Sequence, residues 1–289
     1  MSPPAGRRAP EELGGTIESA NVDPLLDVKA VSIVFGGVAA LADVSVQVPR
    51  GALISLIGPN GAGKTTLFNC ITGVYRPDRG SIRFAGVDLI GQSPDRIAWR
   101  GITRTFQNIE LFTRMTVREN LLLGRHRHFH TGLFRAALAT PAWWQEEVAH
   151  RAHIEQIIDF LELQAIRDRR VGDLPLGRQR LVELGRALAT DPQLVLLDEP
   201  SSGMTAEEKD DLVFRIKDLR EEMGITVVVV EHDLKLVMGI SDWIAVLDHG
   251  VKIAQGTPEQ IQRHPEVIRA YLGTKDATAP PARGTRESS

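Results

Sequence analysis

The residues from Gly58 to Thr66 carry the most specific chemistry in the chain. Gly58, Pro59, Asn60, Gly61, Ala62, Gly63, Lys64, Thr65 and Thr66 fit the phosphate-binding pattern G-x-x-x-x-G-K-[ST]. Glycines let the backbone turn tightly and come close to an anion. Successive N–H groups then cradle phosphate oxygens, and the helix that follows points its positive end at them. Lys64 is spaced to reach the β- and γ-phosphates of a nucleoside triphosphate, and Thr65 to offer its hydroxyl to Mg²⁺. The flanks suit this chemistry. Residues 52–57 read as a buried strand, and residues 65–72 as a helix closed by Gly73.

Three further polar positions follow apolar or alternating segments. Gln107 follows residues 102–106, Asp198 and Glu199 follow the run Leu194–Leu197, and Glu231, His232 and Asp233 follow Thr226–Val230. In an open parallel sheet, ligands bind at the carboxyl ends of the strands, so these groups and the loop can converge on one γ-phosphate. Asp198, ending a central strand, suits the acid that holds Mg²⁺. Glu199 is adjacent but turned elsewhere, and a carboxylate facing the γ-phosphate can orient and deprotonate an attacking water. Gln107 can hydrogen-bond water on Mg²⁺ or the attacking water. His232 can contact the γ-phosphate and hold Glu199 in place. Phe35 ends a strand just before Gly36 and Gly37, where a ring can stack on a base or simply pack in a core. His126, His128 and His130 alternate in the manner of metal ligands, but no cysteine or carboxylate cluster accompanies them, so they read as a solvated polar segment.

These groups need an α/β framework to hold them, and the rest of the chain supplies its elements. With 289 residues, 43% of them hydrophobic, it can bury a sizeable core. A net charge of −3 gives no basic field for nucleic acid. The single cysteine, Cys70, reads as a small core residue and suits a reducing cytoplasm. No apolar run approaches the roughly 18 residues of a membrane span. Residues 1–23 and 274–289 read as disordered tails around an ordered unit at 24–273. Strands are expected at 25–35, 43–48, 81–84, 102–106, 194–197, 226–230, 243–247 and 251–254, the short early ones forming an antiparallel layer. Residues 113–190 read as a helical lobe, with a capping box at Thr116–Glu119 and an apolar stripe of Val148, Ile154, Ile157, Ile158 and Leu161. A second capping box at Thr205–Glu208 opens a helix with a stripe of Leu212, Ile216, Leu219 and Met223. Short helices are expected through 238, at 258–263 and at 265–272. The expected fold is α/β: a P-loop NTPase parallel-sheet core with an antiparallel β layer and a helical subdomain.

Taken together, these residues resemble the nucleotide-binding subunit of the ATP-binding cassette (ABC) transporters over about 24–273. The resemblance implies ATP and Mg²⁺ as ligands, Mg²⁺ contacts from Thr65, Gln107 and Asp198, Glu199 as catalytic base, His232 as switch and Phe35 as adenine-stacking ring. It also implies a signature segment at Leu174–Arg180, in which Leu174, Gly177, Arg178 and Gln179 act on ATP held by a second subunit. Here Pro175 replaces the family's serine, Leu176 replaces a glycine, and Thr205 stands where the next loop usually has an acid. Proline suits a helix start, and Gly177 with the helix dipole still favours phosphate. The lost hydroxyl suggests a chain that works best beside a non-identical partner.

Longer stretches resemble the branched-chain amino-acid importer branch: Arg104–Asn108 with Leu111 and Phe112, Met115–Asn120, Thr131–Phe134, Glu231–Asp242, Gly256–Gln260 and Pro265–Gly273. That likeness implies membrane-spanning permease subunits, a second ATPase subunit as homodimer or related heterodimer, and an extracytoplasmic binding protein contacted indirectly. It implies a peripheral place at the cytoplasmic face of the plasma (inner) membrane. Related branches import urea or amides, or drive lipopolysaccharide export, with the same motor. A DNA-handling cassette ATPase would carry long heptads or a basic stripe, which the chain lacks. A non-hydrolysing assembly factor would lack Glu199 or His232, and both are here.

Overall fold

Two positive-φ glycines set the first hairpin. Gly36 (φ 54°) and Gly37 (φ 84°) join β1 (Leu26–Phe35) to β2 (Val38–Val48), in the hand that matches strand twist. β2 therefore starts earlier than the expected Asp43, because Val38–Leu41 already pair with β1. With β4 (Arg79–Phe84) and β5 (Val87–Asp88), an edge strand not expected, they form an antiparallel sheet ordered β2-β1-β4-β5. This computed structural model describes residues 23–128 and 141–276. The tail before residue 23, the 129–140 segment with His130 and Thr131–Phe134, and residues 277–289 lie outside the described residues.

The second sheet positions the chemistry. Its order is β10-β9-β3-β8-β7-β6, where β3 is Leu53–Ile57, β6 Ile102–Arg104, β7 Leu194–Asp198, β8 Thr226–Val230, β9 Trp243–Asp248 and β10 Val251–Gly256. The neighbours β3, β8, β7 and β6 run parallel, so their carboxyl ends lie side by side. β3, β7 and β8 are buried at every residue, which is why each reads as a continuous apolar run. Alternate side chains of β7 and β8 serve opposite faces. Leu194, Leu196, Val228 and Val230 pack with Phe68 and the antiparallel sheet, whereas Val195, Leu197, Val227 and Val229 pack with the helical lobe.

Helices α1 (Lys64–Ile71) and α2 (Pro94–Trp99) lie on the first side. The sequence reading missed α2, a short helix started by Pro94. The helical lobe holds α3 (Val117–Gly124), α4 (Pro141–Phe160) and α5 (Leu176–Leu188). Then come α6 (Ala206–Glu221), α7 (Leu234–Ile240), α8 (Pro258–Gln262) and α9 (Pro265–Asp276). Both capping boxes form, Thr116 with Glu119 and Thr205 with Glu208. α9 continues to Asp276, past residue 274 where a tail was expected. Two stripe assignments are corrected. Val148 is exposed, because it precedes Ile157 by about two and a half helical turns and so faces the opposite way. Met223 is exposed because α6 ends before it, at Glu221. Among the described residues, no helix is long and apolar enough to cross a membrane.

The fold leaves no room beside the first loop glycine. Gly58 has φ 150°, and a Cβ there would overlap the carbonyl oxygen of Leu247 on β9. Gly58→Ala is expected to destabilise the chain by about 3 kcal/mol or more, through backbone strain and overpacking. A urea melt checks it; an unchanged midpoint would contradict this packing.

Candidate functional site

The loop after β3 is a cup of backbone closed by α1. Gly61 (φ 81°) and Gly63 (φ 101°) take left-handed conformations, and Gly63 caps α1 without a side-chain hydrogen bond. The first N–H groups of α1 have no intrahelical partners and face outward as donors. Lys64 is buried, and its Nζ donates to the carbonyls of Gly58 (2.7 Å) and Pro59 (3.0 Å), so the side chain arches over the loop. Burial lowers its pKa, against the raising pull of Glu199 and Asp198, the acids at the end of β7. Thr65 is exposed, beside Lys64.

Two adjacent carboxylates end β7 and take different partners. Asp198, 3% exposed, accepts from Arg104 Nη2 at 2.6 Å. Glu199 adopts φ 49°, and its N–H donates to Val230 O at 2.8 Å. That turn sends the Glu199 carboxylate toward the neighbouring strand ends. Its Oε1 lies 2.7 Å from His232 Nε2, and its Oε2 accepts from Gln107 Nε2 at 3.0 Å. The structure thus joins Gln107, Glu199 and His232 from three strand ends.

The supports of this cluster were not foreseen. Buried Glu231 accepts from Ser201 N (2.9 Å) and His232 N (3.0 Å), clamping the segments after β7 and β8 together. Arg180 on α5 donates to Phe106 O (3.0 Å) and Gln107 O (2.5 Å), so the helical lobe grips the Gln107 segment. Burial raises the pKa of Glu183 beside it, with Arg180 pulling the other way. Arg104 carries no sequence signal of its own beyond the Arg104–Asn108 resemblance and its place in a short strand just before Gln107.

Other candidates fall elsewhere. Phe35 is 44% exposed and meets Tyr75 edge-on, with ring centroids 5.1 Å apart, so it is not a core aromatic. Pro175 caps α5, Gln179 Nε2 donates to Leu174 O (2.8 Å), Arg178 is exposed, and Gly177 packs against Glu208 of α6. Cys70 is buried, its thiol pushed up to about 11 by burial and Asp78, and so unreactive. His126 is exposed, and the described residues hold no cluster of acids, histidines and cysteine suited to a metal. Instead His128, His153 and Arg125 gather around Asp191, with His150 against Arg125.

The donors present fit Mg²⁺ and a nucleoside triphosphate. Thr65, Asp198 and Gln107 supply hard oxygens, and Mg²⁺ is normally held by one or two carboxylates plus substrate phosphates. The loop offers lysine, N–H donors and left-handed glycines packed hard against the fold: at Gly63 a Cβ would crowd Ala40 O of β2 at 2.7 Å.

Fold and site together define a P-loop nucleotide-binding ATPase. A family model described as ABC transporter matches residues 41–202, and one described as branched-chain amino acid ATP-binding cassette transporter matches 251–277. The chain is 44% identical over 250 residues to the high-affinity branched-chain amino acid transport ATP-binding protein BraF of Pseudomonas aeruginosa, across 86% of this chain and 98% of the relative. It is 42% identical over 250 residues to the similarly described LivG of Escherichia coli, with the same coverage. A solved ABC-transporter cassette in its ADP conformation matches with a TM-score of 0.76 and 33% identity, covering 86% of this chain and 99% of that one. A nucleotide-free cassette gives 0.75 and 32%, covering 86% and 98%. The chain belongs to the ABC transporter family, as an ATP-hydrolysing cassette.

The histidine cluster gives a pH signature apart from the ATP site. Burial lowers the pKa of His150 and His153, with Arg125 and His128 adding to the effect and Glu146, Glu147 and Asp191 opposing it. A histidine with a depressed folded pKa binds fewer protons folded than unfolded. Stability is therefore held above the ordinary 6.5 and lost as pH falls below it. Thermal melts between pH 7.5 and 5.5 are expected to show this loss, and a His150→Asn, His153→Asn variant to flatten it. An equal slope in both proteins would contradict the assignment.

Proposed function

We propose that this chain is the nucleotide-binding subunit of an importer for branched-chain amino acids. The observation that carries its catalytic part is the Glu199 carboxylate, held at both oxygens by His232 and Gln107. In this reading Gly58–Thr66 cradles the phosphates, Lys64 leaves the loop carbonyls for the β- and γ-phosphates, and Phe35 stacks on the base. Bound Mg²⁺ neutralises charge on the phosphate oxygens. Thr65, Asp198 and Gln107 would hold it. Glu199 takes a proton from the attacking water, whose oxygen bonds to the γ-phosphorus as the bond to the ADP oxygen breaks. His232 contacts the γ-phosphate and keeps Glu199 aimed.

Leu174, Gly177, Arg178 and Gln179 then act on ATP held by a second cassette, identical or related. Pro175 and Leu176 favour a related partner, because a serine hydroxyl is lost. The cleft of about 420 Å³ lined by Phe112, Leu123, His126 and Arg186 suits a helix from a membrane-spanning permease subunit. In this reading the chain sits peripherally on the cytoplasmic face of the membrane, and an extracytoplasmic binding protein delivers cargo. The cargo reading is supported by the match over 251–277 and by the relatives' names.

Glu199→Gln is expected to lower ATP turnover by about 10²–10⁴-fold while ATP binding persists and a closed dimer accumulates. Turnover at the normal rate would reject the base assignment. Lys64→Ala is expected to abolish ATP binding or turnover, and unchanged affinity and activity would reject the loop reading. Cells lacking this chain should lose uptake of radiolabelled leucine and keep uptake of urea; the reverse would reassign the cargo.

A further inference from the structure

We infer that Arg104 occupies the Asp198 carboxylate as a resident counter-ion and competes with Mg²⁺ for it, so that metal binding waits for the nucleotide. The inference rests on the reading of Asp198 as the Mg²⁺ acid and adds a positioning residue to it. Asp198 and Arg104 are both buried, with side chains 4% and 7% exposed. A carboxylate this dry needs a partner charge, and the Arg104 guanidinium supplies it at hydrogen-bond distance.

Arg104 is held on four sides. Nη2 donates to Asp198 Oδ2 at 2.6 Å, and Nη1 donates to Asn69 Oδ1 on α1 at 2.6 Å. Its guanidinium carbon lies 5.4 Å from the Phe68 ring and 5.3 Å from the Phe106 ring. It therefore ties the phosphate-loop helix, the end of β7 and the Gln107 segment together. The Asp198 N–H meets Thr105 Oγ1 at 3.4 Å, a second link to the same segment.

Charge balance gives the consequence. Lys64 lies close enough to Asp198 and Glu199 to feel both. Lys64 and Arg104 already match Asp198 and Glu199 in charge. A free divalent ion would add two positive charges beside a fixed guanidinium. The phosphates of a nucleotide bring the missing negative charge, so cation and nucleotide enter together. Losing the guanidinium would leave Asp198 as an uncompensated buried anion that attracts metal alone.

Mn²⁺ serves as the probe, its binding to the nucleotide-free chain read by electron paramagnetic resonance. Arg104→Gln is expected to tighten Mn²⁺ binding by about tenfold or more, because it removes the opposing charge. Arg104→Lys keeps the charge and is expected to stay near wild type. Asn69→Ala frees one end of the guanidinium and should give a smaller increase, which decides the matter if the Gln variant does not fold. Equal Mn²⁺ affinity in wild type, Arg104→Gln and Asn69→Ala would overturn the inference. Asp198→Asn separates the two readings. If it binds Mn²⁺ with ATP as wild type does, the Asp198 assignment fails; if it does not and Arg104→Gln is unchanged, only the role of Arg104 fails.

Discussion

Asp198 and Glu199 are neighbours in sequence, yet their carboxylates do different things because the backbone changes hand between them. Asp198 completes β7 in regular register with β8, whereas Glu199 turns to φ 49°. A non-glycine residue in that region costs about 1–3 kcal/mol. Here the hydrogen bond from Glu199 N–H to Val230 and the two contacts of its carboxylate offset the cost. Without the turn a continuing strand would send Glu199 to the face of the sheet opposite Asp198, away from its present partners. With it, one acid stays with Arg104 and the loop, and the other crosses to His232 and Gln107.

That separation works only because the strands beside it are aligned. β3, β8, β7 and β6 are adjacent and parallel, which brings their carboxyl ends to one edge. Their side chains are shared between two cores, so the edge is gripped from both faces. Arg180 carries the grip further: from α5, the helix opened by Pro175, it holds the Phe106 and Gln107 carbonyls. Movement of the helical lobe therefore has a direct mechanical path to Gln107, and through it to Glu199.

The loop, the buried strands and the capped helices were legible because each has a local cause: glycine spacing, continuous apolar runs, and a side chain that closes a helix end. Position at a strand end also made Gln107, Glu199 and His232 recognisable as one group. What escaped was non-local. Of the alternating histidines, His128 joins a cluster that sequence spacing does not suggest, with His153 of α4 at Asp191 and His150 of α4 at Arg125. Arg104 and Glu231 look like ordinary charged residues until folding buries them against Asp198, Ser201 and His232. Val148 followed helical spacing too loosely to lie on the buried face. Short pieces such as α2 and β5 have too few residues for periodicity to speak.

The central claim is that Glu199 faces the water that attacks the γ-phosphate. The most direct measurement is a structure of the assembled transporter with Mg²⁺, ADP and vanadate, in which vanadate stands in for the transferring phosphoryl group. The account predicts a Glu199 carboxylate oxygen about 2.6–3.2 Å from the apical vanadate oxygen, with His232 still at its side. A Glu199 carboxylate turned away from that oxygen, with another side chain in its place, would contradict it.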